Sequence, residues 1–144
     1  MAHLRKSQTP QHALALLVVS SGERQSFLSA ILRKLGVESI CVSHGWQARE
    51  FLGIDPPFDA VLTDTTLEDA NWCDVLRAVA DCESTASVIV VAPSSADERL
   101  WSEVIWRGAY DMLVEPFTAD EARRVLEGAL RVASAARLAL AAAS

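Results

Sequence analysis

The strongest constraint on this chain is a set of short apolar runs placed between stretches of helical period. Ala13 to Val19, Phe58 to Thr63 and Ser87 to Val91 are almost without polar residues. A strand with one face in water alternates apolar and polar positions, whereas a continuous run fits a strand covered on both faces, as in a parallel sheet. The first run closes at Ser20-Ser21-Gly22, a turn signal. Phe27, Leu28, Ile31, Leu32 and Leu35 then recur at helical spacing and stop at Gly36, a residue suited to a helix C-terminus.

The unit repeats along the chain. Val37 to Val42 is short and β-rich, and Gly45 to Leu52 predicts a helix that ends near Gly53 and Pro56-Pro57. Asn71 to Cys82 turns Val75, Leu76 and Val79 to one side, and Ala96 to Arg107 does the same with Leu100, Val104 and Ile105 before Gly108. Ser94 and Ser95 are the expected N-caps of that helix. Tyr110 to Val114 is a fifth strand, and Thr118-Ala119-Asp120-Glu121 is a capping box from which a helix can run nearly to the end of the chain. Five such alternations joined by short connections predict an α/β fold of the flavodoxin-like (βα)5 type, three layers deep, with parallel strand order 2-1-3-4-5.

Length and charge narrow the function classes. The 144 residues make one domain, and 51% apolar against 22% charged residues excludes a disordered or collagen-like chain. Thirteen basic residues against nineteen acidic ones give a net charge of −6, which argues against direct nucleic-acid binding. Cys41, Cys73 and Cys82 are too far apart for a zinc motif and read as reduced thiols. The start of the chain has no signal-peptide core, and the apolar run at 13–19 is too short to cross a membrane, so a cytoplasmic protein is expected. Residues 1–11 read as a flexible leader, 12–131 as the folded domain, and 132–144 as an alanine-rich extension of the last helix.

In doubly wound sheets the chemistry lies beyond the carboxyl ends of the strands, which here carry Ser20-Ser21, Ser43, Asp64, Ala92 and Glu115. Three stretches around these positions, Val61 to Leu67 with Asn71, Val88 to Pro93, and Gly108-Ala109-Tyr110-Asp111-Met112-Leu113-Val114-Glu115-Pro116-Phe117, resemble the receiver domain of two-component response regulators. The third is the most specific, since it follows the family's Gly-Ala-x-Asp-Tyr-Leu-x-Lys-Pro-Phe ending in order and spacing. The resemblance spans roughly residues 13 to 131 and implies that Asp64 is the candidate phosphoacceptor. It further implies an acidic pair after the first strand, a hydroxyl after the fourth, a lysine after the fifth followed by a cis proline, and a Mg²⁺ ion held by the carboxylates.

The chain departs from that pattern at most of these positions. The acidic pair falls on Ser20 and Ser21, or on Val19 and Ser20 in the alternative register, the hydroxyl on Ala92, and the lysine on Glu115. Pro116 keeps the cis-proline position, and Met112 replaces the aromatic switch residue, with Tyr110 expected two residues earlier on the same strand face. Attack by a carboxylate on a phosphoryl donor needs a metal and positive donors around the transferred oxygens. Ser20, Ser21, Ala92 and Glu115 are therefore degenerate site positions, no metal ligand set is expected, and Mg²⁺ binding should be weak or absent. Glu115 is expected to repel Asp64 and an incoming phosphate. Glu23, just beyond the first strand, is a poor substitute metal ligand because an acid there already suits the helix dipole.

No glycine-rich phosphate loop, nucleophile elbow or His triad is present, which disfavours an enzyme. The expected activity is signalling by protein–protein interaction as a degenerate, or pseudo-receiver, domain. An active phosphoacceptor at Asp64 served by a histidine kinase, and a small-ligand module using the vacated pocket, are the alternatives. Trp101 and Trp106 lie five apart on the fourth helix and cannot share one narrow face, so at least one is exposed. With Met112 they mark a candidate interaction face made of the fourth helix, fifth strand and fifth helix, suited to a kinase, an output domain or a second copy. Trp72 could cover the mouth of the site. In the last helix Val125, Leu126, Ala129, Val132 and Ala133 should pack on the sheet, and Arg137, Leu138 and Leu140 should extend beyond it, where they could pair with a second copy.

Overall fold

The structure, a computed structural model, describes residues 13–54 and 57–143. The leader expected over 1–11 lies outside them. Five strands alternate with five helices: β1 Ala13–Val18, α1 Gly22–Lys34, β2 Val37–Val42, α2 Gly45–Leu52, β3 Ala60–Asp64, α3 Trp72–Asp81, β4 Ser87–Ala92, α4 Glu98–Trp106, β5 Asp111–Val114 and α5 Ala119–Ala143. The strands form one sheet in the order β2-β1-β3-β4-β5, and every pairing is parallel. This is the flavodoxin-like arrangement the alternation predicts.

Alternate residues of each strand feed the two faces. Leu16, Val18, Val61, Val88, Val90 and Met112 point to the face covered by α2, α3 and α4, where Trp72, Val75 and Val104 meet them. Ala15, Leu17, Leu62, Ile89, Val91 and Leu113 point to the other face, against Leu28 and Leu32 of α1 and Leu126 and Ala129 of α5. Burial on both sides explains why these strands lack a polar alternation. Two helix exits need the left-handed backbone that glycine supplies without cost: Gly36 after α1, at φ 78°, and Gly108 after α4, at φ 104°.

Several local expectations change. Strand β3 begins at Ala60 rather than Phe58, and Asp59 just before it still joins both neighbouring strands: its N–H donates to the Leu14 carbonyl at 2.7 Å, its carbonyl accepts the Ser87 N–H at 3.0 Å, and its Oδ2 accepts the Leu14 N–H at 2.8 Å. Helix α4 starts at Glu98 and is capped by Asp97, whose carboxylate accepts the Leu100 N–H at 3.1 Å, so Ser94 and Ser95 are not its caps. A carboxylate next to the helix start satisfies an orphan amide and suits the dipole better than a hydroxyl two residues earlier. Tyr110 does not share the face of Met112: it lies before β5 begins and packs against the α1/α5 layer, its hydroxyl set against Gly128 of α5. Phe27, counted by periodicity with the inner face of α1, is 41% exposed, and Val132 is exposed as well.

Arg137 does not reach past the sheet. It turns back to form an ion pair with Asp59, a carboxylate that is itself nearly buried at the amino end of β3. The extension of α5 is thereby fastened to the pole of the sheet opposite Asp64, while Leu138 and Leu140 stay exposed.

Candidate functional site

The carboxyl ends of β1, β3 and β5 converge on Asp64. This aspartate closes β3, a strand buried at every position, and is itself only 5% exposed. A buried carboxylate requires donors. Ser20, in the turn after β1, supplies two to one oxygen: its N–H lies 3.0 Å and its Oγ 3.2 Å from Asp64 Oδ2. Ser21 starts α1, its Oγ accepting the Arg24 N–H at 3.2 Å.

The remaining Asp64 oxygen is taken by Arg24, in the first turn of α1. Nη1 of Arg24 lies 2.6 Å from Asp64 Oδ1. The other edge of the same guanidinium meets Glu115 from beyond β5, with Nε 2.9 Å from Oε2 and Nη2 2.8 Å from Oε1. The result is a fork in which one cation joins two carboxylates from different strand ends. Glu115 therefore does not simply repel Asp64, as expected from the pair alone, because Arg24 stands between them.

The charges shift in accordance with this geometry. The guanidinium of Arg24 is held above its usual value, chiefly by the hydrogen bond to Glu115, against the opposing effect of burial. Glu115 is held below the usual glutamate range, first by that hydrogen bond and less by the charge of Arg24. A paired guanidinium in planar, side-on contact with a carboxylate is a strong form of charge-assisted hydrogen bond.

The other site positions fall as follows. Ala92 closes β4, is almost fully buried, and presents no donor. The Glu115–Pro116 peptide is cis. Met112 is 8% exposed and belongs to the core, so it does not form part of an accessible face. Trp72 is likewise drawn into the core rather than lying over the site, with the Arg107 guanidinium 6.0 Å from its ring centroid. Trp101 is 48% and Trp106 86% exposed, both on α4. Glu23 lines an open cleft of about 530 Å³ beside Arg24, with Ser21, Phe27, Glu115, Pro116 and Phe117.

The loop that follows Asp64 is anchored to the start of α2. Asp69 accepts the N–H groups of Gly45 and Trp46 at 2.8 and 3.2 Å, which holds its carboxyl below the usual aspartate range, chiefly through the Gly45 contact. His44 Nε2 lies 2.9 Å from Glu68 Oε1. Gly45 is required by close approach: a methyl group there would sit 2.6 Å from the Cβ of Ala70.

Sequence reasoning missed Arg24. One signal could have found it, since a cation in the first turn of a helix opposes the dipole and calls for an anionic partner. Two candidates, Asp64 and Glu115, lay at strand ends that the fold brings together. Among the described residues no group of three or more His, Cys, Asp or Glu side chains is placed to hold a metal ion. The residues present do not fit the Mg²⁺ of the resembled family, because Ser20 and Ser21 offer no carboxylate and a guanidinium already fills the outward oxygen of Asp64.

No model of a protein family matches the chain. Among curated proteins it is similar to the two-component response regulator ORR11 of Oryza sativa subsp. indica, at 28% identity over 123 residues, or 84% of this chain and 82% of the relative. It is similar to the regulatory protein LuxO of Vibrio cholerae at 33% identity over 104 residues, 72% of this chain and 22% of that longer protein. The signal receiver domain of a LuxO repressor protein from Vibrio parahaemolyticus superposes with a TM-score of 0.80 at 23% identity, over 89% of this chain and 97% of that one. Among the described residues no helix is long and apolar enough to cross a membrane.

Proposed function

We propose that this chain, a receiver domain of the response-regulator type, signals by binding other proteins and does not pass through a phosphorylated state. The observation that carries this reading is the saturation of Asp64, one oxygen held by Ser20 and the other by Arg24. Phosphoryl transfer to a carboxylate requires a free oxygen aligned with the donor, a cation on the transferred oxygens, and hydrogen-bond donors around them. Here the hydroxyl position is Ala92, the lysine position is Glu115, and the cation at hand is committed to two carboxylates. Loss of one such donor costs about 3 to 4 kcal/mol, a factor of roughly 10²–10³ in rate, so several losses together leave Asp64 a poor nucleophile even when their effects do not add.

The exposed face of α4 supports the interaction half of the reading. Trp101 and Trp106 present large aromatic surface to solvent, the type of side chain that anchors protein interfaces. A histidine kinase, an output domain or a second copy of the chain are the partner classes this face suits. Met112, buried, does not contribute to it.

Incubation with a small phosphodonor and Mg²⁺, followed by intact-mass measurement, tests the first half. The expected spectrum shows the unmodified mass; a stoichiometric phosphoryl adduct that disappears in Asp64→Asn would return the domain to the active phosphoacceptors.

A further inference from the structure

We infer that the outer edge of β5 docks an extended, acidic segment of a partner protein, which adds to the sheet beside β5 and sets a carboxylate on Arg124. The inference rests on the reading that the domain signals by binding proteins, and it gives the chemistry of a partner and a surface other than the tryptophans of α4.

β5 is an edge strand whose one partner among the described residues is β4, in a register that sets Asp111 beside Ile89 and Leu113 beside Val91. Successive residues of a strand turn their amide and carbonyl groups to alternate sides. Glu115 N–H donates to the Ala92 carbonyl at 2.9 Å, so Asp111, Leu113 and Glu115 face β4, and the backbone groups of Met112 and Val114 face outward. The Met112 side chain is buried, but its N–H lies on this open edge and donates to Asp111 Oδ1 at 2.8 Å. A charged side chain laid over an edge amide blocks unselective strand pairing. The edge is therefore guarded at Met112 and open at Val114, whose side chain is 38% exposed.

Charge decides what this edge accepts. An open cleft of about 460 Å³ runs beside β5, walled on its far side by Phe117 and by Glu121, Arg124 and Val125 of α5. Both carboxylates of the cleft are engaged, Asp111 with the Met112 amide and Glu121 with the Thr118 N–H at 2.8 Å. Arg124 is exposed and forms no ion pair among the described residues, so the uncompensated charge in the cleft is positive although the chain as a whole carries −6. A carboxylate is its natural complement. Side chains of an added strand alternate between faces, so an acidic residue can meet Arg124 on the α5 side while its apolar neighbour covers Val114 on the side of Met112. A second copy fits less well, because β5 is four residues long and two such edges would face each other with their Met112 amides already taken.

Selection of a phage-displayed library of random linear dodecapeptides on the full chain, followed by anisotropy titration and amide mapping with the synthetic winning peptide, tests the inference. Enriched sequences should alternate apolar residues around an aspartate or glutamate, and the bound peptide should shift the Val114 amide and slow its exchange. Arg124→Ala should weaken binding at least about tenfold, the loss of one charge-assisted hydrogen bond. The amide analogue of the peptide's acid should lose as much on wild type and nothing further on Arg124→Ala. Asp111→Ala, which uncovers the Met112 amide, should tighten binding by about two- to tenfold, and Trp106→Ala should leave it unchanged. Should Arg124→Ala fail to fold, Arg124→Gln serves the same arm. Enrichment of no sequence, binding indifferent to Arg124→Ala, or a wild-type dimer that Arg124→Ala dissociates and that excludes peptide would overturn the inference. Peptides that map to Trp101 and Trp106 would overturn it too, while the proposed function stands; that reading falls separately, on a phosphoryl adduct at Asp64.

Discussion

Glu115 meets Arg24 edge to edge, with both carboxylate oxygens within 2.9 Å of guanidinium nitrogens, and so ties the loop after β5 to the first turn of α1. The same guanidinium ties that turn to the end of β3. Three strand ends that carry separate functions in an acceptor site are here joined by one side chain.

Replacement of Arg24 should therefore cost stability. Arg24→Ala leaves Asp64 nearly buried without its cation, and we expect a loss of about 2 to 3 kcal/mol in chemical denaturation, less than for a fully buried ion pair because Ser20 still donates twice and Arg24 is partly exposed. Arg24→Lys keeps the charge but cannot bridge the two carboxylates with a planar fork, and should recover only part of the loss.

Stability should fall in acid. Glu115 and Asp69 are both held below their usual ranges, the first by Arg24 and the second by the Gly45 and Trp46 amides. A lowered carboxyl favours the folded state above its unfolded value, and that contribution disappears as pH falls through the folded value. Denaturation midpoints should be level near neutrality and decline below about pH 4.3, the ordinary glutamate value. In Glu115→Gln and Asp69→Asn the decline should be shallower over that window.

Gly45→Ala should loosen the loop after Asp64 from α2. Its new methyl would overlap the Cβ of Ala70, which is attached to backbone and cannot swing aside. We expect a destabilisation of about 1 to 3 kcal/mol, the range for overpacking, and faster amide exchange at Gly45 and Trp46 as Asp69 withdraws.

Arg137→Ala should release the end of α5. Asp59 would keep only the Leu14 amide as partner for its carboxylate. Hydrogen exchange should accelerate from Ala133 onward, while β3 to β5 remain protected. Unchanged exchange beyond Ala133 would show that the Asp59 pair does not hold the extension.

The sheet was legible in the sequence because its signal is local. Apolar runs such as 13–19 and 87–91 report burial on both faces, and the strand order follows from the handedness and shortness of the connections. The identity of the strand-end residues was equally readable. Their partners were not, since Arg24 meets Asp64 across 40 positions and Glu115 across 91, and helical period marks an arginine in the first turn only as solvent-facing. Arg137 and Asp59 escaped for the same reason. Phe27 shows a second limit: periodicity assigns a side of the helix but not whether a large ring reaches the core, and this ring stays 41% exposed. Tyr110 shows a third, because alternation holds only inside a strand and β5 starts one residue later.

The account depends on Arg24, rather than a metal ion and a phosphoryl group, occupying the oxygens of Asp64. A crystal structure of the protein soaked with magnesium and beryllofluoride tests this most directly. The account predicts no density for either species and a guanidinium still bridging Asp64 and Glu115; both ligands seated on Asp64 at full occupancy, with Arg24 displaced, would contradict it.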